Sequence, residues 1–252
     1  MPTPPIIVAH RGASADAPEN TKAAFVLAWI QGADAIEGDF RMTKDRQIVC
    51  IHDATTARTT NRKRVVARTP LSALQQLDAG NWKSRQWGGQ RIPTLEEVLS
   101  DLPDGKQLYL EIKVGVEILE PLKALLEQSP ANKDRVVLQS FAPEVVKAAR
   151  PLFPGFKILL LVNRTHTAVG EPWIPTAKEI ADTAREAGAD GVNCCGAGFL
   201  KDRDCAAQLT AAGLELHAWR VNRGSSALTL AQMGVISVTT GSPGLVRRQM
   251  TK

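Results

Sequence analysis

The 252-residue chain has no apolar run near the ~18–20 residues needed to cross a bilayer. Its opening, Met1-Pro2-Thr3-Pro4-Pro5, lacks the basic n-region and apolar h-region of a secretory signal. Neither a membrane anchor nor export is expected. Cysteine is scarce: Cys50, the vicinal pair Cys194-Cys195 and Cys205 show no CxxC spacing and fit neither a disulfide framework nor a zinc site. The expected setting is the reducing cytoplasm. Aromatic residues make up only 5% and do not interleave with basic ones, and the densest basic cluster, Arg62-Lys63-Arg64, is too short for a binding tail. Nucleic acid is therefore not an expected partner. The net charge of +5 is mild and favours an anionic small molecule. No glycine-rich phosphate fingerprint follows the first strand, which argues against dinucleotide binding.

With 44% hydrophobic and 23% charged residues, the chain has apolar surface enough to order itself. Short β-type runs alternate with helical stretches along its whole length. The strands are expected at Ile6–Ala9, Asp34–Asp39, Leu108–Lys113, Val136–Ser140, Lys157–Val162, Gly191–Asn193, Glu215–Trp219 and Val235–Thr239. A further extended segment, Gln47–His52, follows the second. Helices are expected between them, among them one opened by the Thr94-x-x-Glu97 capping box and one over Leu200–Ala212. Eight strand–helix units in this length predict one α/β domain over residues 1–252, a (β/α)₈ TIM barrel. Residues 54–93 break the rhythm with threonines, arginines, glycines and tryptophans, and form a small insertion after strand two, with one short helical candidate at Leu71–Leu77.

Active sites of such barrels lie at the C-terminal ends of the strands, and polar residues gather there: His10-Arg11, Glu37 and Asp39, His52-Asp53, Glu111 and Lys113, Asn193, Trp219. Glu37 and Asp39 leave the same face of one strand, and Glu111 and Lys113 repeat that spacing on another. Converging carboxylates repel unless one is protonated or a cation sits among them. All-oxygen ligation suits Mg²⁺ or Ca²⁺ more than zinc. His10 and His52, on either side of a metal-bound phosphate, would serve as base and acid. Arg11 and Lys113 are donors suited to phosphate, or else balance the carboxylates. Trp219 is either a wall for a glycerol-like group or core packing. His166 and His217 have no such company and read as structural, and Cys194-Cys195 as inert packing.

Trp82 and Trp87, in a segment that leaves the barrel just after His52, are candidates for a flat wall over the active-site mouth. The alternative is a solvated elaboration with both tryptophans packed on the barrel.

The ordered set Ala9-His10-Arg11-Gly12, Pro18-Glu19-Asn20-Thr21, Glu37-x-Asp39, Thr43-x-Asp45 and His52-Asp53 resembles the glycerophosphodiester phosphodiesterase family. Ala79-Gly80-x-Trp82, Ile92-Pro93-Thr94-Leu95-Glu96-Glu97, Leu110-Glu111-Ile112-Lys113, Ser140-Phe141 and Trp219-x-Val221-Asn222 carry the resemblance across nearly the whole chain. It implies a barrel with an insertion after strand two and hydrolysis of glycerophosphodiesters to glycerol 3-phosphate and an alcohol. It also implies His10 and His52 as the acid/base pair, Arg11 and Lys113 as phosphate contacts, and one divalent cation (Mg²⁺ or Ca²⁺, with Mn²⁺ an alternative) on Glu37, Asp39 and Glu111. Two positions depart from the family pattern: Gly241 stands where an aspartate is frequent, and Arg220 where a threonine is.

Overall fold

The computed structural model describes residues 3–129, 133–165 and 173–251. Among the described residues nine strands form one sheet: β1 (Ile6–His10), β2 (Ala35–Met42), β3 (Ile48–Cys50), β4 (Gln107–Ile112), β5 (Val136–Ser140), β6 (Lys157–Val162), β7 (Gly191–Cys195), β8 (Glu215–Trp219) and β9 (Val235–Thr240). Their order is β1-β9-β8-β7-β6-β5-β4-β2-β3, and β1 also pairs with β2, so eight parallel strands close on themselves. The expected (β/α)₈ barrel is therefore present. β3 stands outside the closure, antiparallel to β2 with Phe40 opposite Cys50 and Met42 opposite Ile48. That pairing carries β2 three residues beyond the Asp39 expected from the apolar run.

Alternation along the strands separates two environments. Val8, Ala35, Tyr109, Val137 and Leu159 pack together inside the barrel, while Ile7, Ile36, Phe40, Leu108 and Leu110 face the surrounding helices in the main core. Above the inner apolar group the same strands turn polar, with Glu37, Asp39, Glu111, Gln139 and Asn193 all buried. A third core, separate from the barrel, joins Val49 and Ile51 to Val66, Leu74, Leu77, Ala79 and Ile92 of the intervening segment. That segment holds one short α-helix, Leu71–Leu74, shorter than expected, and two 3-10 turns, Val66–Arg68 and Arg85–Trp87.

Helix boundaries follow their caps. Thr94 accepts from the Glu97 N–H at 3.2 Å while the Glu97 carboxylate accepts from the Thr94 N–H at 2.8 Å, the reciprocal arrangement expected from the sequence. The helix expected over 200–212 is instead two, Gly196–Lys201 and Arg203–Ala211. Asp202 divides them: its side chain accepts from the Cys205 N–H at 3.1 Å, which starts a new helix rather than continuing the old one. His166 lies outside the described residues. His217 is buried low in the barrel, its Nδ1 2.7 Å from Ser237 Oγ.

The capping box gives a stability prediction. Thr94→Ala should cost ~1 kcal/mol in urea unfolding, and Thr94→Ser much less, because serine keeps the accepting oxygen. Equal midpoints for wild type and Thr94→Ala would show that the cap is not what starts this helix.

Candidate active site

The polar layer opens at the C-terminal rim as a cleft of about 380 Å³ that His10, Arg11, Glu37, His52, Glu111, Lys113 and Trp219 line. Of the expected site residues only Asp39 does not reach its surface; it is fully buried at the floor. Asp39 and Glu111 are direct neighbours across β2 and β4, and His10 and Glu37 are neighbours across β1 and β2. The two-residue periodicity of a strand therefore aims all four groups inward.

Ligand oxygens of Glu37, Asp39 and Glu111 lie within 4.8 Å of one another. Burial raises the Glu37 carboxyl well above its ordinary range, reinforced by the charges of Asp39 and Glu111. Burial likewise brings Glu111 to about 7, with Asp39 adding to the shift against the opposing pull of Lys113. The neutralising groups are few. Arg11 Nε stands 3.1 Å from Asp39 Oδ2, and Lys113 Nζ is 2.6 Å from Glu111 Oε1 and 3.7 Å from Asp39 Oδ1. Both cations thus balance the carboxylates while also lining the cleft. Glu37 Oε1 and Asp39 Oδ1 are buried with no hydrogen-bond donor among the described residues. Buried carboxylate oxygens without donors are costly. A hard cation with metal–oxygen distances of roughly 2.0–2.6 Å spans a triangle of this size, so the donor set fits Mg²⁺, Ca²⁺ or Mn²⁺.

The loop after β1 is built around this cluster. The Arg11 N–H donates to Glu37 Oε2 at 2.9 Å, and Arg11 has φ 55°, a left-handed conformation that holds its backbone over the carboxylate. Gly12 follows with φ 81°, and a Cβ there would lie 2.6 Å from the Ala24 backbone, so only glycine lets the loop pack on the next helix. Asn20 donates Nδ2–H to Asp39 Oδ2 at 2.8 Å and accepts from the Asp39 N–H at 3.2 Å. Burial, with the Arg11 charge next to it, lowers His10 to about 4, which leaves the imidazole neutral at pH 7.

His52 also lines the cleft, and its Nδ1 is 2.6 Å from Asp53 Oδ1. An ionised carboxylate only accepts, so Nδ1 carries the proton and Nε2 is left to exchange one. Hydrogen bonds from Arg58 outweigh burial and hold Asp53 well below the usual carboxylate range. Arg41 ties the two halves of this wall together, donating to the His52 carbonyl at 2.8 Å and the Lys113 carbonyl at 3.2 Å.

Trp219 closes β8 with its Nε1–H on the Asn193 carbonyl at 3.0 Å, and its ring meets Phe141 edge-to-face, with centroids 6.1 Å apart. This pair forms the aromatic wall of the cleft. Trp82 and Trp87 do not line it: Trp82 donates to the Ala79 carbonyl at 2.9 Å, within its own segment, and Gly80 is needed because a Cβ there would lie within 2 Å of the Trp87 carbonyl oxygen. Gly241 accepts from the Ala15 N–H at 3.0 Å, and Arg220, φ 61°, stands at the cleft lip. Thr43-x-Asp45 forms the turn between β2 and β3, where the Gln47 N–H donates to Thr43 Oγ1 at 2.9 Å.

Sequence reasoning gave no role to Glu19, Asn20, Arg41, Arg58 or Phe141. Glu19, Asn20 and Phe141 lie in recognised motifs, and Arg41 is two residues beyond Asp39 on the same strand face. Nothing local singles out Arg58.

Known proteins of the same architecture share this arrangement of strands. A phosphodiesterase from Oleispira antarctica, solved with the product sn-glycerol-3-phosphate, superposes with a TM-score of 0.87 at 28% identity, covering 99% of this chain and 98% of that one. A glycerophosphodiester phosphodiesterase from Agrobacterium tumefaciens gives 0.82 at 27% identity, covering 97% and 99%. In sequence, protein YhdW of Bacillus subtilis is 36% identical over 95% of this chain and 96% of its own length. A model of the glycerophosphoryl diester phosphodiesterase family matches residues 10–245, and the chain belongs to that family.

Proposed function

We propose that this protein hydrolyses glycerophosphodiesters to glycerol 3-phosphate and an alcohol, with a divalent cation on Glu37, Asp39 and Glu111 and with His10 and His52 as the proton-transfer pair. The observation that carries this reading is the triad of buried carboxylates, two of its oxygens without donors, opening into one cleft with both histidines. The related Oleispira phosphodiesterase, solved in complex with its product sn-glycerol-3-phosphate, supports the same substrate class.

When bound, the cation neutralises phosphoryl oxygens as charge develops. Arg11 and Lys113 add donors on the cleft side of the carboxylates and hold the phosphate. His10, neutral at pH 7, is suited to accepting the proton of the attacking oxygen. His52, its Nδ1–H fixed on Asp53, serves the departing alkoxide when Nε2 is also protonated, giving up that proton to the alkoxide and returning to the Nδ1–H tautomer. Trp219 and Phe141 give the glycerol or alcohol moiety an apolar face. Residues 1–252 act as one catalytic unit, with 54–93 as a small insertion. The four cysteines, none in a disulfide, suit a cytoplasmic setting, and no helix among the described residues is long and apolar enough to cross a membrane.

Release of glycerol 3-phosphate from glycerophosphocholine should stop after chelation and return with Mg²⁺, Mn²⁺ or Ca²⁺. Full turnover by protein shown analytically to be metal-free would overturn the assignment.

His10→Ala and His52→Ala should each lower kcat by ~10²–10⁴. A nitrophenyl ester, which needs little leaving-group protonation, should recover the variant that lost the acid. Near-normal turnover of glycerophosphocholine by both variants would remove the histidines from the mechanism.

Cation binding should also depend on pH. Without metal, Glu111 and Glu37 hold protons more tightly in the folded than in the unfolded chain. Their contribution to stability is therefore full below the ordinary glutamate range and is lost as pH rises through about 7 for Glu111. A cation competes with those protons, so the rise in Tm on adding metal should be larger at pH 8 than at pH 5.5. An equal rise at both pH values would show that these groups do not bind the ion.

A further inference from the structure

Arg58 belongs to the segment between β3 and β4, and its guanidinium reaches two carboxylates, Asp53 and Glu19. Nε and Nη2 donate to Asp53 Oδ2 and Oδ1 at 2.8 and 3.1 Å. Nη1 and Nη2 donate to Glu19 Oε2 and Oε1, both at 2.8 Å. Two forked contacts made by one planar cation fix its orientation as well as its charge. Beyond each carboxylate lies a site residue. Asp53 Oδ1 is the partner of His52 Nδ1, and Glu19 Oε1 is the partner of Arg11 Nη1 at 2.8 Å. Burial pushes the Glu19 carboxyl up, but hydrogen bonds from Arg58 and the charge of Arg11 outweigh it and hold it at about 2.

We propose that Arg58 is a positioning residue that sets His52 through Asp53 and Arg11 through Glu19, so that the proton-exchanging ring and the phosphate-facing guanidinium are aligned by one side chain. The inference rests on the phosphodiesterase reading of the cleft. Without Arg58, Asp53 loses both of its donors on that side and is free to turn away from Nδ1. The imidazole can then exchange tautomers and rotate, and Glu19 no longer fixes the Arg11 guanidinium, whose Nε also faces Asp39 at 3.1 Å. This assigns the segment a function in catalysis that does not pass through its tryptophans.

The test compares wild type, Arg58→Gln, Arg58→Lys, Asp53→Asn and the Arg58→Gln/Asp53→Asn double variant, all full-length and metal-replete, with glycerophosphocholine as substrate. Arg58→Gln should lower kcat by about 10–100-fold, the usual cost of removing an outer supporting partner, with a much smaller change in KM. In the Asp53→Asn background the same substitution should cost clearly less, because the charge-assisted link to His52 is already weakened and only the arm through Glu19 to Arg11 remains to be lost. Arg58→Lys, which keeps the charge but cannot make both forks, should fall between, and it serves if Arg58→Gln does not fold. Nitrogen-15 NMR of the His52 ring gives a readout independent of turnover: a single Nδ1–H tautomer in wild type and a mixture in Arg58→Gln or Arg58→Lys. Wild-type kcat in the Arg58 variants, equal cost in both backgrounds, or an unchanged His52 tautomer would each overturn the proposal. If wild type itself releases no glycerol 3-phosphate, the phosphodiesterase reading fails, and the His52 spectra alone decide the role of Arg58.

Discussion

Three carboxylates buried within a few ångströms of each other are the constraint around which this molecule is arranged. In a low-dielectric interior their mutual repulsion is severe, and removing each from water adds to it. The chain meets the problem with groups drawn from several parts of the barrel. Arg11 arrives on a left-handed backbone after β1, Lys113 from the end of β4, and Asn20 from the turn before the first helix. The two cations, Arg11 and Lys113, line the cleft and are placed to serve a phosphate as well. The same interactions that let the carboxylates be buried therefore prepare a positive rim above them.

Barrel closure supplies the registration. Asp39 opposite Glu111 and His10 opposite Glu37 are backbone pairings, so relative heights of the charged groups follow from the sheet ladder rather than from side-chain contacts. Beneath them Tyr109, itself opposite Glu37, belongs to the apolar layer that closes the lower barrel. A layer that changes from apolar to ionic within two residues of one strand gives the carboxylates a rigid floor and leaves them open to solvent and ligand only at the rim.

Much of this was legible in the sequence, for a physical reason. Alternating short apolar runs and helical stretches report a parallel barrel directly, and residues at strand C-termini converge by construction, so Glu37, Asp39, Glu111, His10 and His52 could be grouped without coordinates. What escaped depends on long-range packing. Arg58 finds Glu19 across 39 positions of sequence, and no local pattern encodes that meeting. The segment expected as one helix over 200–212 is divided at Asp202, whose side chain accepts from the Cys205 N–H and starts a second helix. Trp82 and Trp87 were natural candidates for a binding wall by size and position. Trp82 is held instead by the Ala79 carbonyl, while Phe141, just after β5, and Trp219, at the end of β8, supply the aromatic surface.

The antiparallel spur β3 is pinned at its far end as well as its near one. Val49 bridges Thr94, and the Cys50 N–H donates to the Pro93 carbonyl at 2.9 Å. The segment between them thus leaves and rejoins the barrel at adjacent points, a loop whose ends are fastened independently of its contents. For such a loop the entropy of closure grows only logarithmically with length, about 0.6 kcal/mol for each doubling. The barrel can accordingly accept a longer or shorter excursion at this one place with little change in closure entropy, provided that apolar side chains still cover Val49 and Ile51 and an arginine still comes back to the position Arg58 holds.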